Sequence, residues 1–448
     1  MIPPKPTPRP DKVSLHQYVR LFRKDLLSAQ PQRLYRAWMA EFRTPFFRSY
    51  MINQPALIDE VLKQRPDDFP KSQRVSEGLK PLLGDSVFLT NGEVWKQQRR
   101  IIDPAFEGGR LRDTFPAMWA ASEAAVQRLS QHDGQVIEIE EETSHAAADV
   151  IFRTLFSIPI DHEVAGQVFD EFRTYQRSAP IVNLGAFIPL PRWFPRFFRK
   201  DTKRTAASIR GLITQLTEAR MAEITAGSAP DDLATKIMTT TDPVTGKSFD
   251  TNEMVDQVAI FFLAGHETSA SALAWALYLC AAFPEWQEKI AEEAAGLTPD
   301  FASISKLRIS RDVFREALRL YPPVPMMVRE ANCPQTFRER NIPKGSQVVI
   351  SPWHLHRQER LWDNPDGFDP ARWHSENGKT CAREAFVPFS AGARVCTGAG
   401  FAMVEGVLML SMILKHFRIS PEGPPPVPIA HLTVRSRHGI NLRLERRK

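Results

Sequence analysis

The chain has little cysteine: four among 448 residues, Cys280, Cys333, Cys381 and Cys396, widely spaced and with no C-x-x-C pair. That scarcity argues against a disulfide framework or a thiol zinc site, fits a reducing compartment, and leaves a thiol free for special use. Long apolar runs are lacking too: none approaches the roughly 20 residues that span a bilayer. The N-terminal M-I-P-P-K-P-T-P-R-P has no apolar stretch of the kind a secretory signal needs. A soluble, cytoplasmic, monomeric protein is expected, with residues 1–15 forming a loosely ordered extended arm. Repeats and linkers are missing as well, so a single unit over residues 1–448 is expected, although length alone allows about three domains. The net charge is +6 and the pI about 9.1, but no repeated basic motif concentrates that charge. Nucleic acid is therefore not the expected partner, and a local basic face for an acidic protein fits better.

What the sequence does have is helix signal. Asp250 with Glu253 three residues later makes a capping box before a mostly apolar run to Phe283. Pro284 ends that run and can open the next helix. At 1.5 Å per residue the element is roughly 50 Å long and should cross the interior. Glu285 to Ala295 reads as a short amphipathic helix, and Ser310 as the cap of a helix from Arg311 to Tyr321. Thr90 and Glu93 suggest another capping box, for a helix through Ile102. Residues 399–417 form a last long helix. Residues 336–351 look like β-structure, and a strand is expected near Gly439 to Leu444. The expected class is mainly α with minor β (α+β).

The strongest local signal is F-S-A-G-A-R-V-C-T-G over residues 389–398. Gly392 and Gly398 permit tight turns and close backbone approach. The helix that follows aims free N–H groups and its positive end at Cys396, which should favour the thiolate. Arg394 can reach a carboxylate on a cofactor rim. On the long helix, A-G-H-E-T places Gly265 and Thr268 where the helix can open locally, beside an acid–alcohol pair, Glu267 and Thr268. E-A-L-R sets Glu316 and Arg319 on one helix face, and Trp95 and Arg99 share another.

Together these motifs resemble the cytochrome P450 family, in its soluble, bacterial type, from about Trp95 to the C-terminus. The segment at residues 389–398 matches its F-x-x-G-x-R-x-C-x-G signature at every fixed position. The resemblance implies the cytochrome P450 fold, with a long central helix over heme b and the cysteine loop on the opposite face. It implies Cys396 as axial ligand to the iron, in a loop that begins at Phe389. Trp95, Arg99, Arg329 and Arg394 would hold the heme propionates. Thr268 would steady bound oxygen while Glu267 relays protons. Glu316, Arg319 and Arg372 would form a buried network under the loop, with Trp373 standing where the family usually has phenylalanine.

The implied activity is monooxygenation: hydroxylation, dealkylation or epoxidation of a mostly apolar small molecule by O2. Pocket stretches implied are residues 82–88, 261–264, 324–328 and 431–433, with Phe262, Ala264, Val324 and Met327 as individual candidates. No flavin or iron–sulfur motif is fused to the chain, so electrons from NAD(P)H would arrive through a ferredoxin or flavodoxin and its reductase. Lys96, Arg100, Arg110 and Arg112 could present a basic docking patch. The Pro- and aromatic-rich segment around Trp193, Phe194, Phe197 and Phe198 reads as a packed loop, or as an entry or membrane contact. A peroxide-driven peroxygenase and a heme-based sensor or carrier are the alternatives; both sit poorly with an intact Glu267–Thr268 pair.

Overall fold

The computed structural model describes residues 2–43, 48–178, 200–430 and 432–448. The segment around Trp193 and residue His431 lie outside the described residues.

The helices that build the core and the site are α1 (Leu15–Lys24), α2 (Gln73–Leu83), α3 (Gly92–Ile102), α4 (Gly108–Ser130), α5 (Ile139–Phe156), α6 (Glu163–Ser178), α7 (Lys200–Ala226), α8 (Leu233–Thr239), α9 (Thr251–Ala282), α10 (Pro284–Ala294), α11 (Arg308–Leu320), α12 (Glu376–Glu384) and α13 (Ala399–His416). The axis of the fold is α9, which packs against α2, α5, α7, α11 and α13. Its start is as the residues require: the Asp250 carboxylate accepts from the Glu253 amide at 2.8 Å, and the Glu253 carboxylate accepts from the Asp250 amide at 3.0 Å. Beyond it Trp275 stacks on Tyr321 at 3.9 Å between ring centroids.

The β part is small. Strands β1 (Met39–Arg43), β2 (Arg48–Ile52), β7 (Gln347–Ile350) and β4 (Met327–Glu330) form a four-stranded sheet in the order β1-β2-β7-β4, in which only β2 and β7 are parallel. A second sheet joins β3 (Val136–Glu138), β11 (Asn441–Arg446) and β8 (Phe417–Pro421). Two hairpins, β5 (Gln335–Phe337) with β6 (Arg340–Ile342) and β9 (Pro428–Ala430) with β10 (Val434–Ser436), complete it.

Several local expectations change. Helix α11 begins at Arg308, not after Ser310, because the Glu293 carboxylate on α10 accepts the Ile309 and Ser310 amides at 2.8 and 2.9 Å. A cap supplied from a neighbouring helix leaves no sequence signature at its own end. Helix α3 is preceded by Asn91, and Thr90 turns its hydroxyl to Gln98 at 2.5 Å instead of capping. The N-terminal arm is extended, as proline dictates, but it is not loose. Arg9 is buried and donates to the Ala29 carbonyl at 2.7 Å, Tyr321 donates to the Pro4 carbonyl at 2.8 Å, and Lys5 pairs with Asp366. One helix among the described residues, α13, is long and apolar enough to cross a membrane by length and composition, and 61% of it is buried inside the fold. It packs against α4, α9, α10 and α11 as a core helix.

Candidate active site

The cysteine loop is shaped by backbone geometry. Gly392 has φ +69°, and a Cβ there would fall 2.0 Å from the Leu62 carbonyl oxygen, so both conformation and space demand glycine. The Cys396 amide donates to the Phe389 carbonyl at 2.9 Å, closing the loop before α13 starts. Gly398 is a different case. Its φ is −84° and a Cβ would meet no protein atom within 4 Å. Its expected role in a protein turn is therefore absent; only a group bound against the loop would make a side chain there unwelcome.

The Cys396 side chain is solvent-accessible, yet protein surrounds it so closely that desolvation raises its thiol above the ordinary value. It lines a crevice. The Gly398 amide and Arg99 act in the opposite direction, as helix-end donors and cations should, without prevailing. A coordinated metal ion would deprotonate such a thiol outright.

Beside the thiol, cations outnumber the carboxylates near them among the described residues. Arg394 lies 4.2 Å, Lys71 5.8 Å and Arg99 5.9 Å from the centroid of the Trp95 ring. Lys71 also forms a β-bridge with Arg329. Arg394 Nε and Nη1 are buried with no hydrogen-bond partner. Arg329 is buried and donates to the carbonyl of its neighbour Val328 at 3.3 Å. Desolvation and then Arg394 lower Arg329 to about 10. Lys71, donating to the Val87 carbonyl, is pushed far down by burial, then by Arg394, Arg329 and Arg99. Asp103 pairs with Arg99 at 2.8 Å, and Asp67 acts on Arg394 only through space. Cations packed this way call for a ligand with more than one negative charge. A heme, with two propionates and an iron seeking a thiolate, fits these residues: Cys396 for the metal, the bare face of Gly398 for the ring edge, and Arg99, Arg329, Arg394 and Lys71 for the carboxylates. Lys71 lies in a connecting loop with no helical or strand pattern, so nothing in the sequence pointed to it.

Helix α9 contributes a wall. Within its buried middle, Ala264 is exposed and Thr268 half-buried, and Thr268 Oγ1 donates to the Ala264 carbonyl at 2.6 Å. That bond back by one turn is the one its sequence predicts, but the helix runs on without the expected local opening. Gly265 does something else: a Cβ there would lie 2.4 Å from Ile151 Cδ1, so it allows α5 to approach α9.

Glu267 and Thr268 are adjacent in the chain but their side chains part. Glu267 is buried and receives Arg435 Nε and Nη2 at 2.7 Å each and Thr433 Oγ1 at 2.6 Å. Burial alone would raise its carboxyl; Arg435 more than compensates and holds it below the usual range. One residue past Thr268, Ser269 donates at 2.6 Å to Glu405 on α13. The other oxygen of Glu405 is buried without a partner, and burial drives this acid up to about 8. Arg435, Ser269 and Glu405 were not anticipated, and Thr433, expected in a pocket stretch, serves Glu267 instead. A lone carboxylate on the otherwise apolar run of α13 was the one available signal.

The predicted triad forms. Glu316 Oε1 accepts from Arg319 Nη2 at 2.8 Å, Arg372 Nε at 2.9 Å and the Asp369 amide at 3.0 Å. Arg319 also donates to the carbonyls of His356, Pro365 and Gly367 at 2.8, 2.6 and 2.8 Å. His356 Nε2 in turn accepts the Val387 amide at 3.0 Å, just before the cysteine loop. Trp373 fills its aromatic slot and donates to the Asp312 carbonyl at 3.1 Å.

The pocket candidates divide. Ala264 and Val324 are exposed and Met327 is half-buried, but Phe262 packs into the core on Phe152 and Phe172, at 4.8 and 4.5 Å. Its expected place in the pocket is not where the structure puts it, because it points from α9 toward α5 and α6. Phe88 and Leu432, 45% and 38% exposed, are large apolar side chains without full cover in the flanking stretches. The basic patch is partly neutralised: Lys96 pairs with Glu93 at 2.9 Å, Arg100 with Asp242 at 2.6 Å and Arg110 with Asp231 at 2.8 Å, while Arg112 is exposed.

Known proteins resemble this chain over most of its length. Residues 3–442 match the family described as Cytochrome P450. A Cyclooctat-9-en-7-ol 5-monooxygenase of Streptomyces melanosporofaciens is 30% identical over 392 residues, covering 86% of this chain and 83% of the relative. Cytochrome P450 4A11 of Homo sapiens is 30% identical over 414 residues (86% and 78%), and a cytokinin hydroxylase of Arabidopsis thaliana 28% over 404 residues (88% and 78%). Relatives so distributed do not support the narrower expectation of a bacterial type. The crystal structure of the cytochrome P450DA heme domain has a similar fold, with a TM-score of 0.82 at 24% identity over 100% of this chain and 98% of that one.

Proposed function

This chain belongs to the cytochrome P450 family and is a heme monooxygenase, and from that premise we propose that it oxidises C–H bonds of a mostly apolar small molecule with electrons from a separate protein. The observation that carries the reading is the crowding of Lys71, Arg329, Arg394 and Arg99 around Trp95 beside an accessible thiol. Such a site favours an anionic ligand, which relieves the mutual repulsion of the cations.

When bound, the thiolate-ligated heme supplies the activation of O2 and the oxidation of the C–H bond. The chain does the rest. Cys396 donates the thiolate, and the cation cluster fixes the ring through its carboxylates. Ala264 and Thr268 line the wall, and Thr268 Oγ1 offers a hydroxyl for a proton handed inward. We assign Glu267 and the Ser269–Glu405 pair as acids that move protons toward that hydroxyl. Val324, Met327, Phe88 and Leu432 are the apolar surfaces against which a substrate would lie, and their chemistry favours an uncharged, largely hydrocarbon molecule. An acidic ferredoxin or flavodoxin, reduced from NAD(P)H, remains the proposed donor. Its contact would centre on Arg112 and on whatever cations it frees from the three ion pairs nearby. The free thiol at Cys396 favours a cytoplasmic setting.

The test is spectroscopic. Purified, reduced protein under carbon monoxide should give the red-shifted Soret band of a thiolate-ligated heme, and Cys396→Ser should lose it while still folding. A folded wild-type protein without that band overturns the assignment. NADPH with a ferredoxin and its reductase should then support product formation, in a salt-sensitive way.

A further inference from the structure

Glu267 is joined to the outside of the molecule by one side chain. Arg435 on β10 is 29% exposed, while the Glu267 side chain it grips is 5% exposed. Near Arg435 stands Glu140, in the first turn of α5. Its Oε1 accepts the amide of Ser436, the residue next to Arg435, at 2.9 Å. No hydrogen bond ties the Glu140 carboxylate to Arg435, but the two interact through space, and Glu140 and Glu267 repel one another. A single guanidinium is thus bonded to one carboxylate, Glu267, and lies within charge range of two more, Glu140 and Glu138.

We propose that Glu140 is a positioning residue for Glu267: by sharing Arg435, its charge sets how tightly Arg435 clamps the Glu267 carboxylate and how readily Glu267 takes up a proton. The inference rests on Glu267 moving protons in the reaction assigned above. With Glu140 neutral, Arg435 serves Glu267 alone and keeps it ionised and fixed. With Glu140 ionised, Arg435 is drawn outward and the added negative charge raises the proton affinity of Glu267. A proton bound from solvent at Glu267 can then be passed inward, after which Arg435 returns.

The setting allows Glu140 to titrate in the working range. Burial raises its carboxyl to about 7, against the Ser436 amide and Arg435, and Glu138 and Glu267 raise it further. Of the other charges near it, Glu138 also acts on Arg435 through space, and the rest are paired elsewhere. Glu138 accepts the Glu140, Glu141 and Ile440 amides. Glu141 pairs with Arg173 of α6 and Glu142 with Arg128 of α4. His266 of α9, lowered to about 4 by burial, is neutral at physiological pH and bonds Ser144 at 2.7 Å.

Glu140→Gln tests this, because the amide oxygen still accepts from Ser436 while the charge is gone. In the reconstituted holoenzyme, product formed per electron consumed should rise with pH through neutrality in wild type. It should be flat in the Gln variant and about tenfold lower on the alkaline side, the equivalent of one unit of proton affinity at Glu267. Glu140→Asp should restore the pH dependence, and it keeps the test open should the Gln variant fold poorly. An infrared titration should show a carboxyl protonating near neutrality in wild type and missing in Glu140→Gln. A Gln variant with the wild-type pH profile overturns the proposal. Glu267→Gln separates the two layers: if it is impaired while Glu140→Gln behaves as wild type, only the Glu140 inference fails. If Glu267→Gln is itself silent, the assignment of Glu267 as proton carrier fails first.

Discussion

Arg99 Nη1 donates to the Val395 carbonyl at 2.8 Å, so a side chain on α3 holds the residue next to Cys396. The same guanidinium pairs with Asp103 and faces the Trp95 ring. One side chain therefore braces the thiol loop and supplies charge to the cation cluster. That explains why Trp95 and Arg99 must share a helix face: the spacing brings an aromatic wall and a cation to one point.

Arg99→Ala should loosen both functions. Loss of a charged hydrogen bond is worth about 1.5–3 kcal/mol, and here it falls on loop and cofactor alike. Heme should pass to an excess of an apo-globin at least tenfold faster than from wild type, with little change in the unfolding midpoint of the apoprotein. Arg99→Lys should be intermediate, since a lysine cannot donate in the fork geometry. Unaltered heme loss from Arg99→Ala would remove Arg99 from the cofactor site.

Beneath the loop, Glu316 is wholly buried between Arg319 and Arg372. Glu316→Ala would strand two buried guanidinium groups, and breaking such a buried pair costs roughly 3–5 kcal/mol. Chemical denaturation should register that loss. The effect should also reach Cys396, because Arg319 holds the His356 carbonyl and His356 holds the Val387 amide. A variant that stays folded should therefore show a weakened thiolate band under carbon monoxide.

The parts of this protein that were legible in its sequence are those made by neighbours in the chain. The Asp250–Glu253 capping box, the Glu316–Arg319 pair and the loop from Phe389 to Cys396 are encoded within a few residues of themselves. What escaped is made across the fold. Glu293 caps α11 from another helix, Lys71 joins the cations from a connecting loop, and Arg435 reaches Glu267 from β10. Glu267 shows the limit most clearly: A-G-H-E-T places it beside Thr268, but its 100° step around the helix sends its carboxylate to a different partner. Phe262 was misassigned for the same reason, since the two-residue step from it to Ala264 on α9 separates core from crevice.

The last prediction concerns Glu405. Its buried carboxyl is raised from 4.5 to about 8, chiefly by desolvation, with Ser269 as its one opposing hydrogen bond. A group whose folded proton affinity exceeds its unfolded one stabilises the fold most at low pH. That contribution shrinks as pH rises through the unfolded value and is gone above the folded value of about 8. Across this window a single proton contributes a slope of at most about 1.4 kcal/mol per pH unit. Glu405→Gln keeps an acceptor for Ser269 but cannot ionise, so it should be more stable than wild type toward alkaline pH and converge with it in acid. Urea unfolding of both proteins at a series of pH values measures the difference. Parallel curves would mean that Glu405 does not hold its proton in the folded state, and the Ser269–Glu405 pair would then have no proton to pass toward Thr268 at neutral pH.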